Sequence, residues 1–198
     1  MPSGQPLDLS PQFAAALEAL DAFRRMAGSG CVIGGLAVQR WGEPRFTQDA
    51  DLTILAPVGS EVTIVDPLLR EFQPRLPDAR AHALDRRVLL VRASNGVSID
   101  ISLAALPFEE EVLRRASVWR RIKGVPLVTC SAEDLVIYKL VAARPGDIQD
   151  VIGVVGRQAK RLDAARIRHW GVQFAELKED PDLLSPFEAA LKKAGLTG

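Results

Sequence analysis

The amino-acid sequence predicts an α+β protein with a mixed first part, residues 1–130, and an all-helical second part, residues 131–198. In the first part, short runs of β-branched and aliphatic residues alternate with segments of helical periodicity. From residue 131 onwards only helical periodicity is found. A chain of 198 residues is long enough for one domain with a small bundle of helices attached.

The first predicted helix runs from residue 11 to about residue 26. Ser10 followed by Pro11 is typical of a helix start, because serine caps free N–H groups and proline fits the first helical position. The elements expected next are a strand over 31–33, a helix over 36–41, a strand over 51–55, an amphipathic helix over 60–72 and strands over 88–91 and 97–103.

The strand over 97–103 has two chemically different faces. Its apolar residues are Val97, Ile99, Ile101 and Leu103. Because successive side chains of a strand point to opposite sides, Asp100 is expected on the other face, together with Ser98 and Ser102.

The second part opens with a capping pattern, Ser131 to Asp134, which predicts a helix to about residue 143. Pro145 and Gly146 are expected to interrupt this helix. Further helices are predicted to start near Asp147, Asp163 and Asp182.

Charge and composition exclude several classes of protein. The formal net charge is zero, so nothing attracts the chain as a whole to nucleic acid or to a membrane surface. No basic and apolar leader is seen, and no apolar run approaches the roughly 18 residues that cross a bilayer. We therefore expect a cytoplasmic protein. Cys31 and Cys130 have apolar neighbours and are expected to be buried thiols rather than a disulfide or a zinc site.

Three sequence features indicate chemistry when they are taken together. Gly34 and Gly35 join a strand to a helix, where backbone N–H groups can approach a phosphate closely. Asp49 and Asp51 are two residues apart at the start of a strand, so that both carboxylates reach the same place. Asp100 lies in the middle of another strand. Each feature alone is common in turns and solvated loops, but their order along the chain is much more specific.

Carboxylates that converge on one point repel each other unless cations neutralise them. Hard divalent cations with oxygen ligands do this, and magnesium is often bound partly by substrate phosphates. Two such ions can hold the attacking and leaving oxygens of a phosphoryl transfer. The pattern therefore favours metal-dependent chemistry on a nucleotide.

The glycine pair, the two aspartates at 49 and 51, and Asp100 resemble the DNA polymerase β-type nucleotidyltransferase superfamily. The resemblance implies a mixed β-sheet with helices on one side, followed by a C-terminal helical subdomain. It also implies that Asp49, Asp51 and Asp100 bind two Mg²⁺ ions, and that Asp100 accepts the proton of the attacking hydroxyl. The implied reaction transfers a nucleoside monophosphate from an NTP, whose phosphates Gly34 and Gly35 cradle, and releases pyrophosphate.

Residues 134–150 are similar to the helix pair of AbiEii-type bacterial nucleotidyltransferases, some of which are toxins of type IV toxin–antitoxin systems. The similarity implies that Lys139 contacts the triphosphate and that Asp147 supports it. It further implies transfer RNA or a protein as acceptor and a cognate antitoxin protein as partner. A second interpretation of Lys139 is a lysine that is simply paired with Asp147 or Asp150.

Two alternative functions stay open at this point. One is a nucleotidyltransferase for small molecules such as antibiotics, which an acidic acceptor cleft would favour. The other is a nucleotide-binding or interaction module without turnover. The basic segments 114–115, 120–123 and 160–168 are expected to be solvated faces, or an RNA-binding patch if they converge. Arg45 and Thr47 precede the aspartate pair and either contact phosphates or shape the loop.

Overall fold

The computed structural model describes residues 10–120 and 125–196, which form a mixed sheet and helices. The strands are β1 (Gly30–Val32), β2 (Ala50–Leu55), β3 (Gln73–Pro74), β4 (Val88–Arg92), β5 (Ser98–Ala104), β6 (Ser117–Arg120) and β7 (Pro126–Thr129). The helices are α1 (Pro11–Arg25), α2 (Gly34–Trp41), α3 (Glu61–Glu71), α4 (Ala79–Arg86), α5 (Pro107–Arg115), α6 (Ala132–Ala142), α7 (Pro145–Gln158), α8 (Ala164–Lys178) and α9 (Ser185–Lys193), with a short 3-10 turn at Ala159–Arg161.

The sheet formed by the described residues has the strand order β3-β4-β5-β2-β1-β7-β6. Strand β2 lies at its centre, parallel to β5 and antiparallel to β1, while β1 is parallel to β7. The remaining pairs, β3 with β4, β4 with β5 and β6 with β7, are antiparallel. The sheet is therefore mixed, as the sequence predicts.

One apolar core covers one face of the sheet. Helices α1 and α3 bring Phe13, Phe23 and Leu68 against this face. Strand β5 contributes Ile99, Ile101 and Leu103, all buried, while its polar residues are only partly covered. The predicted alternation along β5 is confirmed, and it leaves the other face of the strand available for a polar site.

A second apolar core joins the C-terminal helices α6 to α9 to α2 and α5. At its centre the ring of Phe108 meets three aromatic rings edge-on, each with its centroid 5.3 Å away: Tyr138, Trp170 and Phe174. Cys31 and Cys130 lie in this core as free, buried thiols, which confirms the expectation for them.

The α+β class and the helical second part are confirmed. Two helix starts differ from the prediction: α7 begins at Pro145 rather than Asp147, and α9 begins at Ser185 rather than Asp182. Each helix has a proline in its first turn, Pro145 in α7 and Pro186 in α9. Proline is compatible with these positions, because the N–H that it lacks would have no helical partner there. The division at residue 130 stays a prediction, since the second core contains residues from both sides of it.

Within the described ranges, the model has no helix whose length and apolar character would let it span a bilayer.

The fold predicts that truncation of a core residue lowers the stability of the protein far more than truncation of an exposed apolar residue. Ile101 is fully buried on the apolar face of β5, so Ile101→Ala should lower the free energy of unfolding by about 2–5 kcal/mol. Val58 is 84% exposed, and Val58→Ala should change the free energy of unfolding by less than about 0.5 kcal/mol. Urea denaturation of both variants measures the difference, and equal effects would contradict the assigned faces of β5.

Candidate active site

The pairing of β2 with β5 brings two of the predicted acidic residues together. The strands are parallel and in register, with Asp51 directly beside Asp100. Asp49 precedes Asp51 by two residues. One carboxylate oxygen from each of the three aspartates lies within 4.8 Å of the others. The structure therefore places the three predicted metal ligands at one point.

The glycine turn before α2 is shaped around Asp51. Gly34 has a φ of +58°, and a Cβ atom at this position would overlap the Asp51 carboxylate. The N–H of Gly35 donates to Oδ2 of Asp51 at 3.4 Å. A Cβ on Gly35 would overlap the side chain of Thr47. In this structure the two glycines thus make room for a carboxylate and a hydroxyl, and Gly35 also lines the neighbouring cavity.

Each of the other two carboxylates has its own partner. The hydroxyl of Thr47, which is buried, donates to Oδ1 of Asp49 at 3.1 Å. The guanidinium of Arg75, a residue just after β3, donates to Oδ1 of Asp100. Arg75 is not among the residues predicted from the sequence. Thr47 belongs to the loop for which the sequence left two interpretations open, and its contact supports the shaping of the loop.

The convergence of carboxylates has a clear electrostatic consequence. Burial, followed by the charge of Asp49, raises the pKa of Asp51 to about 6, and Asp100 adds to the effect. The N–H of Gly35 and the charge of Lys139 oppose it but do not cancel it. A partly buried carboxylate with negative charges beside it is stabilised by a proton or by a cation. Three hard oxygen ligands at one point fit a divalent cation such as Mg²⁺.

A cavity of about 670 Å³ opens beside the three aspartates. This volume lies within the range of roughly 300–1,000 Å³ that is usual for small-molecule sites. Five carboxylates and three cationic side chains line the cavity. The cations are Arg45, Lys139 and Arg144.

Lys139 is the centre of a chain of ion pairs in the wall of this cavity. Its ammonium lies 2.8 Å from Oδ1 of Asp147 and 2.9 Å from Oδ2 of Asp150, and all three residues are buried. Arg45 binds Asp150 through two N–H groups at 2.8 and 2.9 Å, and Arg144 binds Asp147 at 2.6 Å. The observed geometry fits the interpretation of Lys139 as a paired lysine, in a position where it also lines the cavity.

The ion pairs control the charge of the two buried aspartates. Burial on its own would raise the pKa of Asp147 and of Asp150. Hydrogen bonds from Arg144 and Lys139 to the first, and from Arg45 and Lys139 to the second, more than offset burial and lower both pKa values. Both residues therefore remain ionised and keep the three cations in place.

Three arginines of the basic segments outside the cavity have acidic partners. Arg115 lies 3.0 Å from Glu133, and Arg166 lies 2.8 Å from Asp134. Arg168 and Glu188 are 2.7 Å apart. Arg121 and Lys123 lie outside the described residues. These three arginines are therefore paired within the chain, as expected for solvated or structural faces.

No protein-family model and no curated protein sequence matches the chain. Among solved structures, an antigenic nucleotidyltransferase-like protein from Paracoccidioides brasiliensis is 18% identical, with 90% of this chain and 92% of that chain covered and a TM-score of 0.48. The antibiotic-resistance factor ANT(2'')-Ia is 14% identical, with 84% of this chain and 94% of that chain covered and a TM-score of 0.55. The second comparison shows that this chain has the fold of a nucleotidyltransferase.

The raised pKa of Asp51 predicts a pH-dependent stability of the metal-free protein. Below the ordinary pKa of 3.8 the carboxyl is protonated in both the folded and the unfolded protein. As the pH rises from there to about 6, the unfolded protein releases this proton first, so the free energy of unfolding falls. Asp51→Asn removes this penalty. In EDTA at pH 8 the variant should be more stable by on the order of 1–2 kcal/mol, and the difference should vanish near pH 4.

Thermal unfolding between pH 4 and pH 8 measures this effect. In Mg²⁺ the order should reverse, because the wild type gains an ion that the variant binds poorly. Asp85→Asn, at an exposed position on α4, is the matched control and should show neither effect. A variant at Asp51 that is less stable than the wild type at pH 8 in EDTA would contradict the electrostatic account.

The close contact between Gly34 and Asp51 predicts a second, separable effect. Gly96 also has a positive φ, +82°, but open space around it, so Gly96→Ala should lose only about 1–2 kcal/mol of stability from backbone strain. Gly34→Ala adds an overlap with the Asp51 carboxylate, which should remove about 1–3 kcal/mol more. Urea denaturation measures stability, and electron paramagnetic resonance of Mn²⁺ measures ion binding. Only Gly34→Ala should weaken ion binding, and equal behaviour of the two variants would disprove the proposed packing.

Proposed function

We propose that the protein is a metal-dependent nucleotidyltransferase that moves a nucleoside monophosphate from an NTP to an acceptor hydroxyl. The observation that carries this proposal is the convergence of Asp49, Asp51 and Asp100 at one end of a large cavity. The nucleotidyltransferase fold of the chain supports it. So does the cationic wall of the cavity, since a triphosphate carries several negative charges.

The three aspartates are the proposed metal ligands and would hold two Mg²⁺ ions. When bound, such ions neutralise the charge that develops on the attacking and leaving oxygens. The acceptor oxygen forms a bond to the α-phosphorus, and the bond from that phosphorus to the β-bridging oxygen breaks, so that pyrophosphate leaves. Asp100 is the proposed acceptor of the hydroxyl proton, and its contact with Arg75 occupies only one of its two carboxylate oxygens.

The glycine turn and Lys139 are the proposed phosphate contacts. The backbone of Gly35 lines the cavity beside Asp51, at the N-terminus of α2, where the helix dipole favours anions. Gly34 allows the turn to adopt its positive φ. Two of the three ammonium donors of Lys139 are used by Asp147 and Asp150, which leaves one for a phosphate oxygen. Asp147 supports Lys139 in this role.

Two classes of acceptor follow from different observations. The similarity to AbiEii-type enzymes favours transfer RNA or a protein, in a cytoplasmic toxin–antitoxin context with a cognate antitoxin protein. The fold that the chain shares with an antibiotic-resistance factor favours a small molecule such as an antibiotic instead. The acidic partners of Arg115, Arg166 and Arg168 also support the second class, because those arginines are not free to bind RNA phosphates. A module without turnover would bind Mg²⁺ and NTP but form no product.

The proposal predicts transfer of label from an α-³²P-labelled NTP. The full chain is incubated with Mg²⁺, each of the four NTPs and either total RNA, a protein extract or a set of cationic antibiotics. Label should enter one acceptor pool, and Asp49→Asn or Asp100→Asn should reduce the rate at least about 100-fold, since even outer-shell changes at metal sites lose 10- to 100-fold. Asp85→Asn is the control and should keep full activity. The proposal fails if no NTP labels any acceptor, or if Asp49→Asn works as well as the wild type.

A further inference from the structure

One aromatic ring stands out because it lies in water at the mouth of the cavity. The side chain of Phe46 is 76% exposed, and it lines the same cavity as the three aspartates. The phenylalanines of the two cores are buried in the usual way, namely Phe13, Phe23, Phe72, Phe108 and Phe187. Exposure of a single apolar residue is common on its own. Phe46 differs from the other exposed apolar residues because its ring lines this polar cavity, where it is available to contact a bound ligand.

The position of Phe46 is held on both sides along the chain. Before it, the guanidinium of Arg45 grips the buried carboxylate of Asp150 through two hydrogen bonds. After it, Thr47 is buried and donates to Asp49. The side chain of Gln39 also donates to the carbonyl of Arg45 at 3.3 Å. The residues on both sides of Phe46 are therefore anchored, Arg45 to Asp150 of the cationic wall and Thr47 to Asp49 of the acidic centre.

This placement suits a ligand with a charged end and a flat end. In a nucleotide bound with its phosphates between the aspartates and the cationic side chains Arg45, Lys139 and Arg144, the phosphates would occupy the polar part of the cavity. The nucleoside would then have the exposed ring of Phe46, which lines the same cavity, as an apolar flat surface. Bases stack on aromatic side chains irrespective of their identity, because each base has a π-face.

We propose that Phe46 is the stacking platform for the base of the NTP. The inference rests on the proposed nucleotidyltransferase function and adds to it by assigning the nucleoside end of the cavity. A platform of this kind acts on binding, so its loss should raise KM for the NTP and leave kcat nearly unchanged.

The test compares a nucleotide with the same phosphate chain without a base. Titration calorimetry measures binding of the α,β-methylene analogue of each NTP, and of inorganic tripolyphosphate, to the full chain in Mg²⁺. Phe46→Ala should weaken nucleotide binding roughly 5- to 100-fold and leave tripolyphosphate binding within about twofold. Phe46→Tyr keeps an aromatic ring at this position and should bind nucleotides about as tightly as the wild type. Leu177→Ala, at a residue that is 71% exposed on α8, is the matched control and should change neither ligand.

Several outcomes overturn the proposal and are distinguishable from failure of the proposed function. Equal losses for both ligands would mean that Phe46 supports the phosphate wall. If Phe46→Ala bound every nucleotide as tightly as the wild type, or changed only KM for the acceptor, the ring of Phe46 would not be the platform for the base. A wild-type chain that binds tripolyphosphate as tightly as every nucleotide also contradicts a base platform. A wild type that binds neither ligand contradicts the nucleotidyltransferase proposal itself, and this inference with it.

Discussion

The in-register pairing of β2 with β5 is the constraint on which the whole site depends. It forces Asp51 and Asp100 side by side, and the residue spacing in the chain adds Asp49. Three carboxylates would separate if they were on flexible loops, but the hydrogen bonds of the strands and the apolar core behind β5 hold Asp51 beside Asp100. Asp49, just before β2, is held by the hydrogen bond from Thr47. The fold therefore maintains an unfavourable charge arrangement, which is visible in the pKa of Asp51 near 6. A divalent cation is the natural way to relieve it.

The ion-paired part of the cavity lining uses the reverse arrangement, in which each of its charged groups has a partner of opposite charge. Asp147 and Asp150 are buried and ionised because Lys139, Arg45 and Arg144 bind them. These pairs fix the direction of three cations without neutralising all of their N–H donors. The cavity thus has one end that attracts cations and one wall that attracts anions. A nucleotide bound through metal ions has the matching distribution of charge, and the exposed ring of Phe46 continues the same surface.

Much of the site was predictable because it depends on local spacing. The alternation around Asp100 is a property of a strand, so the sequence predicted which side chains of β5 point the same way. Asp49 converges with Asp51 as expected, although it lies one residue before β2 begins. The role of Arg75 was not predictable, since its contact with Asp100 depends on how the segment after β3 crosses the sheet. The packing of Gly34 against Asp51 was likewise hidden, because a Gly-Gly pair has the same sequence signal whether it faces a phosphate or a carboxylate. Helices α4 and α5 are short and were not predicted; α4 buries only two alanines, whereas α5 buries Phe108 and Val112 at helical spacing.

The central claim is that the three aspartates are gathered to hold metal ions that engage an NTP. Anomalous diffraction from crystals grown with Mn²⁺ and an α,β-methylene NTP analogue tests it most directly. The account predicts manganese peaks between Asp49, Asp51 and Asp100, within about 2.0–2.3 Å of their carboxylate oxygens, with the analogue's phosphates completing the coordination. Peaks only at other places, or a bound analogue whose phosphates lie away from these residues, would contradict it.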